Sequence, residues 1–165
     1  MTWKDLSLAI VLVAFLLLGR PANLGAQAGK LATLDRIAVI VEELSWEGRT
    51  SGLATAEIKA HVIDRLRSKI SRMVIDDSAS EFIDIVILLG TSGEETGGNA
   101  NFAGLVSGEV YRRVRVHATG MNVAAVVWRD LHVIQGRFDS IVPQVYQALD
   151  LFVGTLAAAW NRDNP

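Results

Sequence analysis

Two long extended runs joined by one glycine-bearing hinge constrain this chain more than any other feature. Leu105 to His117 and Met121 to Ile134 are rich in valine and alternate in polarity, with Thr119-Gly120 between them. That pattern predicts an antiparallel β-hairpin, because residues two apart share a face of a strand and glycine accepts turn dihedrals that other residues resist. A two-residue turn at Thr119-Gly120 would set Ala118 against Met121, Tyr111 against Trp128, His117 against Asn122 and His132 against Ser107. One face of the hairpin then carries Val110, Val114, Val123, Val127, Leu131 and Val133, interrupted by Arg112 and Arg129; the other carries Glu109, Tyr111, Arg113, Arg115, Trp128 and Asp130. The first face reads as core and the second as solvated. Two arginines on a core face need acidic partners or a route to water. Without either, the register slips by one residue and the Tyr111–Trp128 pair is lost with it.

The rest of the chain supplies what such a hairpin packs against. Ile37 to Leu44 predicts a strand, and the loop Ser45 to Leu53 follows it. Ile58, Val62, Leu66 and Ile70 keep the spacing of one helical face. Thr55 is the expected N-cap of that helix, with Glu57 in its first turn and Arg65, Arg67 and Lys69 in its last, each sign matched to the helix dipole. Met73–Ile75 and Phe82–Leu89 predict two further strands. Gly90 to Asn101 has four glycines among polar residues and reads as an exposed loop. Asp139 is the expected cap of a last helix over about Ser140 to Trp160, with Pro143 tolerated in its first turn. Val145, Leu149, Phe152 and Leu156 form its apolar stripe and Trp160 its last anchor. The expected fold is a two-layer α+β domain of order β-α-β-β-β-β-α, mainly an antiparallel sheet with two helices.

The N-terminal stretch stands apart. Lys4 precedes the apolar run Leu6 to Gly19, followed by Arg20-Pro21 and then Ala26-Gln27-Ala28. A short apolar core, a helix breaker and an A-x-A site predict a secretory signal peptide over residues 1–28, cleaved after Ala28, leaving a single α+β domain over 29–165. The alternative is a membrane anchor over residues 6–20, a little short for a bilayer, with Trp3 and Arg20 at its interfaces. Either way the domain is exported, to the periplasm or beyond, or held on the exported side of a membrane.

Composition narrows the chemistry. The chain has 165 residues, no cysteine, 16 basic and 18 acidic side chains and a net charge of −2. Absence of cysteine excludes disulfides, thiolate metal sites and a cysteine nucleophile. A near-neutral balance, with no basic run longer than Arg112–Arg113, argues against nucleic acid as a partner. The Gly90–Asn101 loop lacks the GK[ST] ending of a phosphate loop, and Glu94 and Glu95 lack calcium-loop spacing. His61, His117 and His132 lie apart, so no metal centre is expected. No catalytic residue and no cofactor are expected, since HExxH, GxSxG and SxxK are all absent.

What remains is an aromatic and charged patch. Tyr111 and Trp128 with Arg113 and Arg115 beside them would make the outer hairpin face a candidate contact for another protein, since tyrosine, tryptophan and arginine are enriched in interfaces. Trp46, after the first strand, is a second candidate. Two further readings carry different expectations. An uncleaved residue 6–20 segment would make the chain a single-span accessory subunit of a larger membrane complex. A small-ligand carrier or hydrolase would need Arg112 and Arg129 to converge on a pocket.

The strand IAVIVEEL, the stretch GLATAEIKAHVIDRLR, the hairpin with a late tryptophan and the ending LAAAWNRDNP together resemble a loose group of uncharacterised secreted bacterial proteins. The likeness covers most of residues 35–165. It implies a small exported α+β domain and brings no activity with it. The expected role is an exported, non-enzymatic binding or assembly module.

Overall fold

The computed structural model describes residues 30–92 and 100–165. The predicted signal or anchor segment and most of the glycine-rich loop lie outside the described residues. The elements run in order β1 (Arg36–Val41), α1 (Trp46–Thr50), α2 (Thr55–Lys69), β2 (Val74–Ile75), β3 (Phe82–Ser92), β4 (Asn101–Arg115), β5 (Asn122–Arg137), a 3-10 turn (Phe138–Ser140) and α3 (Ile141–Asp163). The expected α+β class and the order of its long elements are what the chain adopts, with the short α1 added within the expected loop. The Ser45 hydroxyl starts α1 by accepting a hydrogen bond from the Gly48 amide at 3.4 Å.

The five strands lie in the order β2-β1-β3-β4-β5. β1 runs parallel to β2 and β3, while β3, β4 and β5 are antiparallel, so the sheet is mixed. β3 and β4 both extend into the region expected to be loop, pairing as far as Ser92 with Asn101. Helices α2 and α3 cover one face only. Ile58, Val62 and Leu66 of α2, and Val145, Leu149, Phe152 and Leu156 of α3, meet Val39, Ile83, Ile85, Ile87, Val106 and Val110 of the sheet in one buried cluster. α3 is also long and apolar enough to cross a bilayer. Its apolar stripe is nonetheless used here against the sheet.

Both helix starts differ from expectation for a local reason. Thr55 already has helical geometry, and the extended Ala54 is the cap, its carbonyl accepting from the Ile58 amide at 3.0 Å. Asp139 lies within the 3-10 turn and pairs with Arg137 at 3.2 Å. Ser140 is the cap of α3 but bonds to no backbone amide of the first turn; its hydroxyl donates to the Arg137 carbonyl at 2.7 Å and accepts from the Gln144 side-chain amide at 3.0 Å. At the far end of α3, buried Trp160 donates from Nε1 to the Leu34 carbonyl at 2.7 Å, as expected of a last anchor. The Asn164 amide donates to the Leu31 carbonyl at 2.9 Å and accepts from the Thr33 amide at 2.9 Å, so residues 160–164 clasp residues 31–34.

The hairpin register departs from the expected one. From Asn101–Arg137 to Val110–Trp128 every pair is one position off, and beyond Val110 the pairing shifts again, so that Tyr111 faces Val126. The extra residue is Val127, a β-bulge that leaves two residues of β5 against one of β4. The turn is also longer than two residues. Val116 and Met121 close it through the Val116 amide and Met121 carbonyl at 2.8 Å, with Gly120 at φ 69°. His117 therefore lies in the loop, and Asn122 faces Arg115; His132 faces Val106 in place of Ser107.

The bulge resolves the two arginines expected on the core face. A one-residue change of register moves each side chain of β5 beyond it to the opposite face. Arg129 thereby leaves the core face and pairs with Glu109 at 2.6 Å. Arg112 stays on the helix side at the margin of the sheet, where it donates to the carbonyls of Lys30 at 3.1 Å and Ala32 at 2.9 Å. Trp128 moves the other way, into the core.

Candidate protein-binding face

The face of the sheet turned away from α2 and α3 has no layer over it among the described residues. Register places its side chains in rows that cross the strands. Ile40, Asp84, Glu109 and Arg129 make one row; Val86, Ser107 and Leu131 the next; Leu88, Leu105 and Val133 the third. Apart from the buried Ser107, the last two rows and Ile40 are apolar; Val86 and Leu105 are half-buried, while Ile40 is 43% exposed, Leu88 48%, Leu131 46% and Val133 72%. β3 is apolar at both parities, since Ile83, Ile85 and Ile87 feed the core while Val86 and Leu88 face outward. A strand apolar on both faces belongs to a sheet that is normally covered on both sides.

The polar row is acidic on balance. Glu109 accepts from the Tyr111 hydroxyl at 2.7 Å through Oε2 and from Arg129 at 2.6 Å through Oε1. Tyr111 lies flat on Phe82 of the neighbouring strand, ring centroids 4.7 Å apart. Its phenol is held above the ordinary tyrosine range, first by the proton it shares with Glu109 and then by burial. Asp84 sits between Ile40 and Glu109 with Oδ1 shielded from water and without a hydrogen-bond partner. Burial pushes its pKa up, and the negative charges of Glu42 and Glu109 add to that.

The candidate contact residues divide among three places. Tyr111, Arg113 and Arg115 share the outer face of β4, the two arginines on the part of the hairpin that runs past β3. Trp128 is on the opposite face, 6% exposed, with its ring 5.5 Å from Phe152. It is a core residue, so the expected Tyr111–Trp128 patch with Arg113 and Arg115 beside it does not form. Trp46 is exposed but belongs to the other end of the sheet, where α1 packs through Gly48 on Leu89. The apolar rows and Asp84 were missed in the sequence reading. Their available signal was FIDIVILL itself, which gives apolar residues to both faces of its strand.

The remaining polar clusters hold the scaffold together. His61 bonds through Nε2 to Asp150 at 2.8 Å, Arg65 reaches the same carboxylate at 2.8 Å, and together they tie α2 to α3. His132 meets Asp130 at 3.2 Å, and Thr155 of α3 donates to that carboxylate. Arg112 and Arg129 lie on opposite faces and converge on no pocket. Among the described residues, no group of three or more histidine, cysteine or acidic side chains could hold a metal ion.

No family model matches the chain, and no curated protein matches it. Solved structures do resemble it. A hypothetical protein from Chlamydia trachomatis aligns at TM-score 0.46 and 11% identity, covering 76% of this chain and 96% of its own. PelC from Paraburkholderia phytofirmans, described as a dodecamer, aligns at TM-score 0.43 and 19% identity, covering 72% and 85%. A minor lipoprotein from Acinetobacter baumannii aligns at TM-score 0.36 and 6% identity, covering 78% and 95%.

Proposed function

We propose that this chain is an exported, non-enzymatic assembly module that joins another protein through the uncovered face of its sheet. The observation that carries this reading is the open apolar area made by Val86, Leu88, Leu105, Leu131 and Val133 beside an acidic row. Contiguous apolar surface of this kind is a mark of an interaction site. The partner chemistry follows from Asp84 and its neighbours: an apolar surface bearing a cationic or amide donor that reaches the unpartnered Oδ1. Tyr111 and Arg129 border the contact, and both are already held in place by Glu109, so little ordering is needed on binding. The signal-like residues 1–28 support an exported location, with the domain free in the periplasm or anchored on that side of a membrane.

The test is cross-linking from a photoreactive residue at position 88 or 133 in the native host, repeated with Leu131→Asp. Loss of the same cross-linked chain from a variant that still unfolds cooperatively supports the reading. Undiminished cross-linking to that chain, or none from either position, overturns it.

A further inference from the structure

The hairpin reaches beyond the rest of the molecule. β3 pairs with β4 only as far as Phe82–Tyr111, and neither strand has another neighbour past that point, so residues 112–125 form a two-stranded arm. The bulge at Val127 lets this arm keep its own two faces. Val114, Val116, Met121 and Val123 share one, and Met121 is 62% exposed. Arg113 and Arg115 share the other. No acidic residue occurs between Val110 and Arg129, although the whole chain is acidic by two charges. Arg113 and Arg115 are exposed and make no ion pair or hydrogen bond among the described residues, whereas Arg112 and Arg129 at the base of the arm are both engaged.

We propose that this arm rests on an anionic lipid bilayer, its valines and Met121 entering the headgroup region while Arg113 and Arg115 pair with lipid phosphates. A ribbon apolar on one side and cationic on the other suits that boundary as an amphipathic helix does, and arginine stems reach from the apolar level to the phosphates. The position of the arm agrees with this. Arg112 at its base holds the carbonyls of Lys30 and Ala32, so the chain that continues from the apolar Leu6–Gly19 run enters the domain beside the arm. Ten residues lie between Gly19 and Lys30, a span of at most about 40 Å when extended. An anchor left uncut would hold this end of the domain against the bilayer. The contact is additional to any made by residues 6–20 and independent of the partner face.

The chain has no cysteine, so Met121→Cys takes a single polarity-sensitive dye. The labelled full chain is reconstituted into vesicles of phosphatidylcholine alone or of phosphatidylcholine mixed with phosphatidylglycerol, with a Val133→Cys label as reference. The expected result is a blue-shifted dye at position 121, quenched by nitroxide lipids, only where phosphatidylglycerol is present. Arg113→Gln and Arg115→Gln should each lower the ratio of inserted to free arm about fivefold, and added salt should lower it further. Equal signals in both vesicle types would overturn the proposal. So would a shift that follows protein density without nitroxide quenching, which would assign the arm to a second copy of the chain.

Discussion

The backbone of Gly108 lies directly against the ring of Phe152. A methyl group built on that glycine would fall inside the ring carbons, so β4 and α3 approach this closely only because position 108 has no side chain. The same ring meets Trp128, which faces Val110 across the hairpin. Gly108→Ala is expected to cost about 1–3 kcal/mol by overpacking. In a Phe152→Leu background the added methyl has room, and the same substitution should cost less. Urea unfolding of the four chains measures this coupling; equal costs in both backgrounds would contradict the contact.

Asp84 predicts a stability that falls as pH rises. An acid with a native pKa above its unfolded value binds its proton more tightly when folded, so stability drops as pH rises through the interval between the two. The lower limit of that window is the ordinary aspartate value of 3.8, and its upper limit is the raised native value. Asp84→Asn removes the effect. It should melt higher than the parent at neutral pH, with the gap closing in acid below the ordinary value. A variant that melts lower at neutral pH would mean that Oδ1 is served by a contact the fold does not otherwise reveal.

The phenol of Tyr111 should titrate with Glu109 as its governor. Glu109→Gln removes the charge that holds the tyrosine proton, and the Tyr111 pKa should fall towards the ordinary value of 10.0. The chain contains only two tyrosines, so ultraviolet titration in a Tyr146→Phe background reads this one alone. An unchanged titration would show that the hydrogen bond does not persist in solution.

Deleting Val127 tests the bulge. Val126 would then follow directly on Trp128, so that Val110–Trp128 and Tyr111–Val126 become successive pairs of an unbroken ladder and every side chain keeps its face. Amide exchange is expected to stay protected in residues 128–137, held by Trp128 and Ile134 in the core, and to be kept or strengthened in residues 112–126. Loss of protection in residues 112–126 would show that the arm needs the twist the bulge supplies.

The long elements were legible in the sequence because each depends on a period. Ile58, Val62 and Leu66 mark a helical face, and the valine-rich runs mark strands, whatever they pack against. The faces of β5 were not legible, since a bulge adds one residue to a strand without changing its composition. Val126-Val127 offers no glycine or proline to mark the place. Without the bulge, strict alternation puts Trp128 on the surface and Leu131 and Val133 in the core, which hides the open face. Arg112 and Arg129 were the visible inconsistency. Two charges on one apolar face signalled an error of register, although not its position.

The clasp between residues 160–164 and residues 31–34 has a consequence for timing. Leu34 and Leu31 are core residues, but the Trp160 indole and the Asn164 amide that satisfy their carbonyls lie more than a hundred positions later in the chain. During synthesis, the helix side of the domain stays open at this corner until α3 has been delivered. A nascent chain is thus kept from closing early, and residues 31–34 become fixed only when residues 160–164 arrive.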